Sequence, residues 1–453
     1  MKLKNFYSTL FKIAVPIILQ NLLQTFVNIL DTVMIGQLGE AKIAAVGLGN
    51  QVFFLLNMML FGISSGGSIF FAQLWGKKDI NGIRKTLGIT LSFSLVLSLL
   101  FTLGTQICPG FLMSFYSKEK DIIALGEEYL RVAGFSYPLM AISFAYQIAF
   151  RATGHVVLPT VSTAAAFSVN AVFNYLFIFG FHISLPFFDL NIPAFGIKGA
   201  ALATVVARIV EFIIVIGYSY FKRFESCGKL RELFSFSKDS VGRYLKIALP
   251  VILNESLWGF GITTQNSIFA HAGQDVIATF NITGTVSQLT WVFFIGVGNA
   301  AGIIIGQKIG EGNDSLARKY AFRFAWFMPV CAVIIAQLLI PLSFLLPYLF
   351  NVKPSTIQQA KYMLYILICL YPFMAFNMCY IVGICRAGGD TVYSAVNDLI
   401  WMWCIGIPLG CLAAFYFKQP AWVIYIAIQI EQILKFFAGV LRLKSGKWLH
   451  NVT

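Results

Sequence analysis

Lys12-Ile13-Ala14-Val15-Pro16-Ile17-Ile18-Leu19 returns 234 positions later as Lys246-Ile247-Ala248-Leu249-Pro250-Val251-Ile252-Leu253. The same spacing carries Gly39 to Gly273, Gly62 to Gly296, Gln73 to Gln307 and Gly76 to Gly310. It carries Arg84-Lys85 to Arg318-Lys319 and Tyr137-Pro138 to Tyr371-Pro372, and slips by one only at Arg151 and Arg386. A repeat this regular in so apolar a chain predicts two membrane lobes built on one plan, an arrangement in which transporters commonly seat their substrate where the repeats meet.

Composition sets the class. The chain is 58% hydrophobic and 11% charged over 453 residues, with mean hydropathy +0.78, whereas a soluble domain averages about 25% charged. Apolar runs long enough to cross about 30 Å of hydrocarbon as helices follow one another. Twelve are expected, at 10–35, 44–75, 83–108, 123–150, 157–182, 196–221, 245–271, 276–307, 320–347, 358–385, 392–416 and 420–443. Barrel strands would be alternating segments of about ten residues; these runs are too long and too uniformly apolar. The fold class is all-α and polytopic.

The net charge of +14 invites a nucleic-acid reading, but its distribution excludes one. With the amino terminus inside, inner segments collect clusters such as Lys77-Lys78, Arg84-Lys85, Lys222-Arg223, Arg318-Lys319 and Arg442 with Lys444. The outer loops carry the scattered Lys42, Lys118, Lys120, Lys198, Lys353, Lys361 and Lys418. That asymmetry is the positive-inside rule. It places both termini in the cytoplasm of a multi-pass inner-membrane protein, in a lipid bilayer and without nucleic acid. The eight cysteines show no metal-ligand spacing and pack as small hydrophobes. The first apolar run is too long for a signal peptide and lacks its cleavage site.

Lys222 to Tyr244 is the longest charged stretch free of spans. The expected organisation is therefore an N-lobe over 1–222, a cytosolic linker over 223–243 and a C-lobe over 244–453. Six spans per lobe start both lobes on the same side, so the repeats run parallel. Small-residue clusters such as Gly62-Ile63-Ser64-Ser65-Gly66-Gly67-Ser68 and Gly296 to Gly306 allow close helix packing.

A charge at mid-membrane costs about 2.5–3.5 kcal/mol on insertion scales, so an acid kept there is a functional candidate. Asp31 is one. Gln20, Gln24, Asn28 and Asp31 fall within an arc of about 80° on a helix, a polar stripe facing protein or water rather than lipid. Glu255 is the other, on a face shared with Asn266. At the repeat spacing Asp31 corresponds to Gln265 and Glu255 to Asn21. The lobes are thus chemically unequal, as suits a machine in which one handles a cation and the other more of the cargo. Arg208 with Glu211, and Glu431 with Lys435, sit at spacings that neutralise themselves along a helix; Asp398 has no such partner. No nucleophile–base pair, phosphate loop or metal-ligand spacing is present, so no enzyme and no cofactor are expected.

The chain resembles the multidrug and toxic compound extrusion family, closest to its bacterial NorM-like branch, over essentially its whole length. The resemblance rests on Pro16-Ile17-Ile18-Leu19-Gln20-Asn21, Asp31-Thr32-Val33-Met34-Ile35-Gly36, Ala44-Ala45-Val46-Gly47 and Gln73-Leu74-Trp75-Gly76. It continues in Arg151-Ala152-Thr153-Gly154, Gly306-Gln307-Lys308-Ile309-Gly310 and Arg386-Ala387-Gly388-Gly389-Asp390-Thr391. It implies twelve helices in two pseudo-symmetric six-helix bundles forming a V, and a monomeric exporter of cationic, amphipathic small molecules driven by inward H⁺ or Na⁺. By the same resemblance Asp31 is the first-helix cation-binding acid, the place for any Na⁺, with Asn170 beside it. Asn174 stands where some members carry a further acid. Pro16 is the proline about which the first helix bends. Glu255 matches the seventh-helix glutamate of the substrate and cation pocket, to which Gln24, Asn28, Gln265 and Asn377 are also assigned; around Asn377 the tenth-helix acid of NorM-like members is missing. The competing expectation is a flippase for a lipid-linked sugar, which favours a basic cavity for pyrophosphate and often fourteen spans.

Overall fold

The computed structural model describes residues 3–185, 188–349 and 353–453; residues 1–2, the start of the expected N-lobe, lie outside them. The chain divides into two compact units. The N-unit comprises Leu19–Phe71 and Asp79–Leu245, and the C-unit Met1–Ile18, Ala72–Lys78 and Lys246–Thr453. Among the described residues eleven helices are long and apolar enough to cross a membrane, and a bent pair taken as one span makes twelve.

The first helix, α1 (Leu3–Gly36), runs unbroken with Pro16 inside it. It is followed by α2 (Glu40–Lys77) and α3 (Ile80–Ile107). Asp79 starts α3 by accepting the amide of Gly82 at 2.9 Å, which satisfies one of the free N–H groups of the first turn. After the short α4 (Pro109–Ser114) come α5 (Lys120–Ala133) and α6 (Ser136–Ala152). The sequence reads these last two as one span, but they are bent by 50°. The cause is local. Pro138 has no N–H to give the carbonyl of Gly134, and its ring crowds that carbonyl. The Thr102 hydroxyl donates to Gly134 O instead, at 2.9 Å. At the repeat-equivalent Pro372 the residue four places earlier is Ile368, not glycine, and there the helix continues.

Next are α7 (Val157–Phe179) and a hairpin of β1 (Phe181–Leu185) with β2 (Phe188–Ile192). The strands are antiparallel, with His182 opposite Asn191. A span follows from α8 (Ile197–Phe212) through a π segment (Ile213–Tyr218) into α9 (Ser219–Phe221). The one-turn α10 (Leu230–Leu233) packs so closely on α3 that a Cβ at Gly88 would lie 1.9 Å from Leu233 O.

The C-unit takes α11 (Lys238–Ala272) from Lys246 onward, then α12 (Gln274–Gly310), α13 (Asp314–Leu349) and α14 (Pro354–Met378). A π segment (Cys379–Cys385) extends α14. The next span is α15 (Thr391–Trp401), a π segment (Met402–Gly406), α16 (Ile407–Cys411) and a further π segment (Leu412–Tyr416). The last helix, α17 (Ala421–Ser445), ends at Gly446 in the left-handed conformation, φ 67°, with Arg442 and Lys444 in its last turn. Glycine fits that conformation without penalty, and the cations complement the helix dipole.

The repeat is visible inside this unit. A Cβ at Gly76 would lie 2.1 Å from Gln307 O, and one at Gly310 would lie 1.9 Å from Gln73 O. Equivalent glycines thus admit equivalent backbones in reciprocal fashion. The carboxy-terminal tail closes the same region. Gln73 Nε2 donates to Ala387 O at 2.8 Å, Gln73 Oε1 accepts Val452 N at 2.8 Å, and Trp448 is wholly buried.

Candidate cation sites in the membrane helices

In the N-unit, α1 and α7 bring together three of the residues expected at the cation site. Asn170 and Asn174 are one helical turn apart and both buried. The Asn174 amide nitrogen donates to Asn170 Oδ1 at 3.0 Å and also to Asp31 Oδ1. Both its hydrogens are therefore committed, while Asn174 Oδ1 is buried without a partner. Asp31 is part-buried, and among the described residues it makes no ion pair. A carboxylate and a bare amide oxygen at one place, with no permanent counter-charge bonded to the acid, can take up a proton or a small monovalent cation.

Nearer the start of α1, Gln20 is buried in a second network. It donates to Gln147 Oε1 at 2.8 Å and Thr163 Oγ1 at 3.0 Å, and accepts Arg151 at 2.5 Å. Gln147 passes the chain to Glu211 Oε1 at 3.0 Å, and Glu211 pairs with Arg208 at 2.6 Å. The polar stripe therefore has two ends with partners and an open middle: Gln24 is half-buried and Asn28 exposed. Pro16 sits on α1 four residues before Gln20.

The C-unit repeats this plan with more charge. Asn254 occupies the repeat position of Gln20, and Arg386 that of Arg151. Arg386 donates to Asn254 Oδ1 at 3.0 Å and to Glu255 Oε1 at 2.5 Å. Asn254 Nδ2 donates to Asp398 Oδ2 at 2.9 Å. Lys435 pairs with Asp398 at 2.8 Å and with Glu431 at 3.3 Å. Glu255 is thus held in an ion pair rather than standing alone, and Asp398, without a partner by spacing, finds its cation on another helix. Gln265 is buried with its Nε2 unpartnered. Asn377 is joined to Gln432, through the backbone carbonyl at 2.8 Å and the side-chain Oε1 at 3.0 Å; no bond links it to Glu255. Asn266 is exposed.

Sequence reading missed the two arginine-centred networks as assemblies. A signal was present, because Arg151 and Arg386 are repeat mates at the one place where the spacing slips. The Cys379–Cys385 π segment explains that slip. The second copy has one extra residue there, and wider turns absorb it, with Arg386 N donating to Ile381 O five residues back at 3.3 Å.

The chain is 23% identical to the probable multidrug resistance protein YoeA of Bacillus subtilis, over 93% of this chain and 91% of that protein. It is 24% identical to the probable multidrug resistance protein NorM of Thermotoga maritima, over 97% and 92%. A solved structure described as the outward-facing conformation of a multidrug resistance MATE family transporter of the MOP superfamily superposes with a TM-score of 0.85. The identity is 20%, and the superposition covers 97% of this chain and 96% of that one. The MatE family profile matches residues 16–176 and 250–412, two blocks that open on the repeat-equivalent Pro16 and Pro250. The chain belongs to the MatE family.

Proposed function

We propose that this chain is a secondary active multidrug exporter of a bacterial inner membrane. It acts as a monomer with both termini in the cytoplasm and needs no cofactor. It moves cationic, amphipathic small molecules outward in exchange for inward H⁺ or Na⁺. Membership of the family and the names of its relatives support the transport class. The observation that carries the coupling is the Asp31–Asn174–Asn170 cluster, an acid on an apolar helix hydrogen-bonded by the Asn174 amide, which is itself tied to Asn170.

Asn174 fixes one carboxylate oxygen of Asp31. The other oxygen of Asp31 and the bare Asn174 Oδ1 are the ligands for the coupling cation. Occupation neutralises Asp31 and removes a cost of about 2.5–3.5 kcal/mol for a charge at that depth. The change is passed along α1, where Pro16 removes one backbone hydrogen bond and makes the helix easier to bend. Cationic cargo is attracted to the acid when the coupling ion has left, and is held by aromatic faces. Exchange of one H⁺ for one monovalent cargo moves no net charge, so the membrane potential, worth about 2.3 kcal/mol per charge per 100 mV, contributes nothing to that stoichiometry.

Purified protein in liposomes loaded with a cationic dye tests the reading. Dye should leave faster under an imposed H⁺ or Na⁺ gradient than without one. Equal rates under both gradients and under none would remove the antiport, and movement of a lipid-linked sugar instead of dye would replace it with a flippase.

A further inference from the structure

Three carboxylates and two cations meet inside the C-unit: Glu255, Asp398 and Glu431 against Arg386 and Lys435. All are largely buried, with side-chain exposures of 12%, 13%, 3%, 4% and 2% respectively. With every group ionised this network carries one uncompensated negative charge at membrane depth, where such a charge is costly.

The hydrogen bonds show which acid is the odd one. Glu255 accepts Arg386 at 2.5 Å. Asp398 has a donor on each oxygen, Lys435 on Oδ1 at 2.8 Å and Asn254 on Oδ2 at 2.9 Å. Glu431 differs. Its Oε1 accepts Gln432 Nε2 at 3.1 Å and Lys435 Nζ at 3.3 Å, while its Oε2 is buried with no partner. A bare carboxylate oxygen in that setting is the most expensive arrangement of the three.

We propose that Glu431 holds a proton on Oε2, making a proton-binding site in the C-unit separate from Asp31. Bound there, the proton leaves two carboxylates against two cations, and the network is neutral. The charged groups acting on Glu431 are Lys435, from its own helix, and Asp398, from α15. Behind them stand Arg386 and, on α11, Glu255. From the π segment before α16, Gly406 approaches Oε2 so closely that a Cβ would lie 3.1 Å away. From α14, Asn377 reaches only the neighbouring Gln432. A metal cation fits less well, because hard cations take six or more oxygens and Lys435 already fills the positive position. No metal-binding group of His, Cys, Asp or Glu exists among the described residues.

The test is the protonation state at rest, so its failure would leave the exporter reading standing. Protein labelled with ¹³C at the glutamate side-chain carboxyl is placed in lipid nanodiscs at neutral pH, free of Na⁺, and its carboxyl resonances are recorded. One resonance should sit at the neutral-acid position, show ¹³C–¹⁵N proximity to the Gln432 side-chain amide that donates to Glu431, and vanish in Glu431→Gln. In Asp398→Asn the two cations face only Glu255 and Glu431, so the same resonance should move to the ionised position. The label leaves every aspartate silent, so a proton held on Asp398 gives no such signal. The proposal is overturned if all glutamates are ionised in the native protein, if the neutral resonance survives Glu431→Gln, or if Asp398→Asn leaves it unmoved.

Discussion

Asn174 shows what one amide does that an acid in its place would not. It donates twice, to Asp31 and to Asn170, whereas a carboxylate there has no hydrogen to give and would repel Asp31. Asn174→Ala removes both donations and leaves Asp31 Oδ1 without its partner, a loss of about 1–3 kcal/mol. The expected outcome is cation-coupled dye efflux that needs about tenfold or more of the driving ion, with the protein still folded, read from efflux rates against ion concentration. At this scale the acids were legible in the sequence, because a charged residue in an apolar run is conspicuous. Their partners were not. Arg386 lies 131 positions from Glu255, and Asp398 144 from Asn254. Only the folded helices say that Glu255 is in an ion pair while Asp31, among the described residues, is in none.

The spans were largely readable as elements, since length and hydropathy settle them. Local backbone chemistry was harder to see. Tyr-Pro occurs in both copies, yet the break at Gly134 depends on the residue four places before the proline and on a hydroxyl from α3. The hairpin was also missed, although Phe181-His182-Ile183-Ser184-Leu185 and Phe188-Asp189-Leu190-Asn191-Ile192 alternate with strand period; a search for apolar runs passes over five-residue strands. The loop after α9 carries a pH-dependent contact outside the spans. Partial burial pushes the Glu225 carboxyl up, but the hydrogen bond to His155 at 2.8 Å, a backbone hydrogen bond and the imidazolium charge outweigh it and hold the group below the usual carboxylate range. A depressed acid stabilises the fold above its unfolded value of about 4.3 and loses that effect as pH falls through its folded value. Glu225→Gln should therefore melt earlier than the native protein near pH 6 (~6, where the acid is charged), with the two Tm values converging in acid. A constant gap across that range would contradict the contact's role.

The two-fold repeat orders the molecule as a whole, and the sequence shows it more clearly than any other feature. Its structural expression is the reciprocal pair of glycines, Gly76 against Gln307 O and Gly310 against Gln73 O. Both backbones are too close for a methyl group. Gly310→Ala should force the helices apart and cost about 1–3 kcal/mol, a lower Tm by thermal unfolding in detergent, whereas Gly47→Ala, where a Cβ meets nothing within 4 Å, should leave Tm unchanged. The repeat also made the chemical inequality of the units visible, with Asp31 against Gln265 and Glu255 against Asn21. The full charge network of the C-unit was hidden, because Asp398 and Lys435 come from late helices and have no charged counterpart at the repeat spacing.

The proposed exchange of cargo and ion at Asp31 is directly measurable through linkage, since in an antiporter a cargo gradient must drive the ion as surely as the ion drives cargo. In liposomes with equal H⁺ and Na⁺ on both sides, a cationic dye gradient is imposed and opposing ion movement is recorded for the native chain and for Asp31→Asn, reconstituted to equal density. The native chain should move H⁺ or Na⁺ against the dye, and Asp31→Asn should move neither above the protein-free background. Ion counterflow in Asp31→Asn equal to the native chain would contradict the assignment of Asp31.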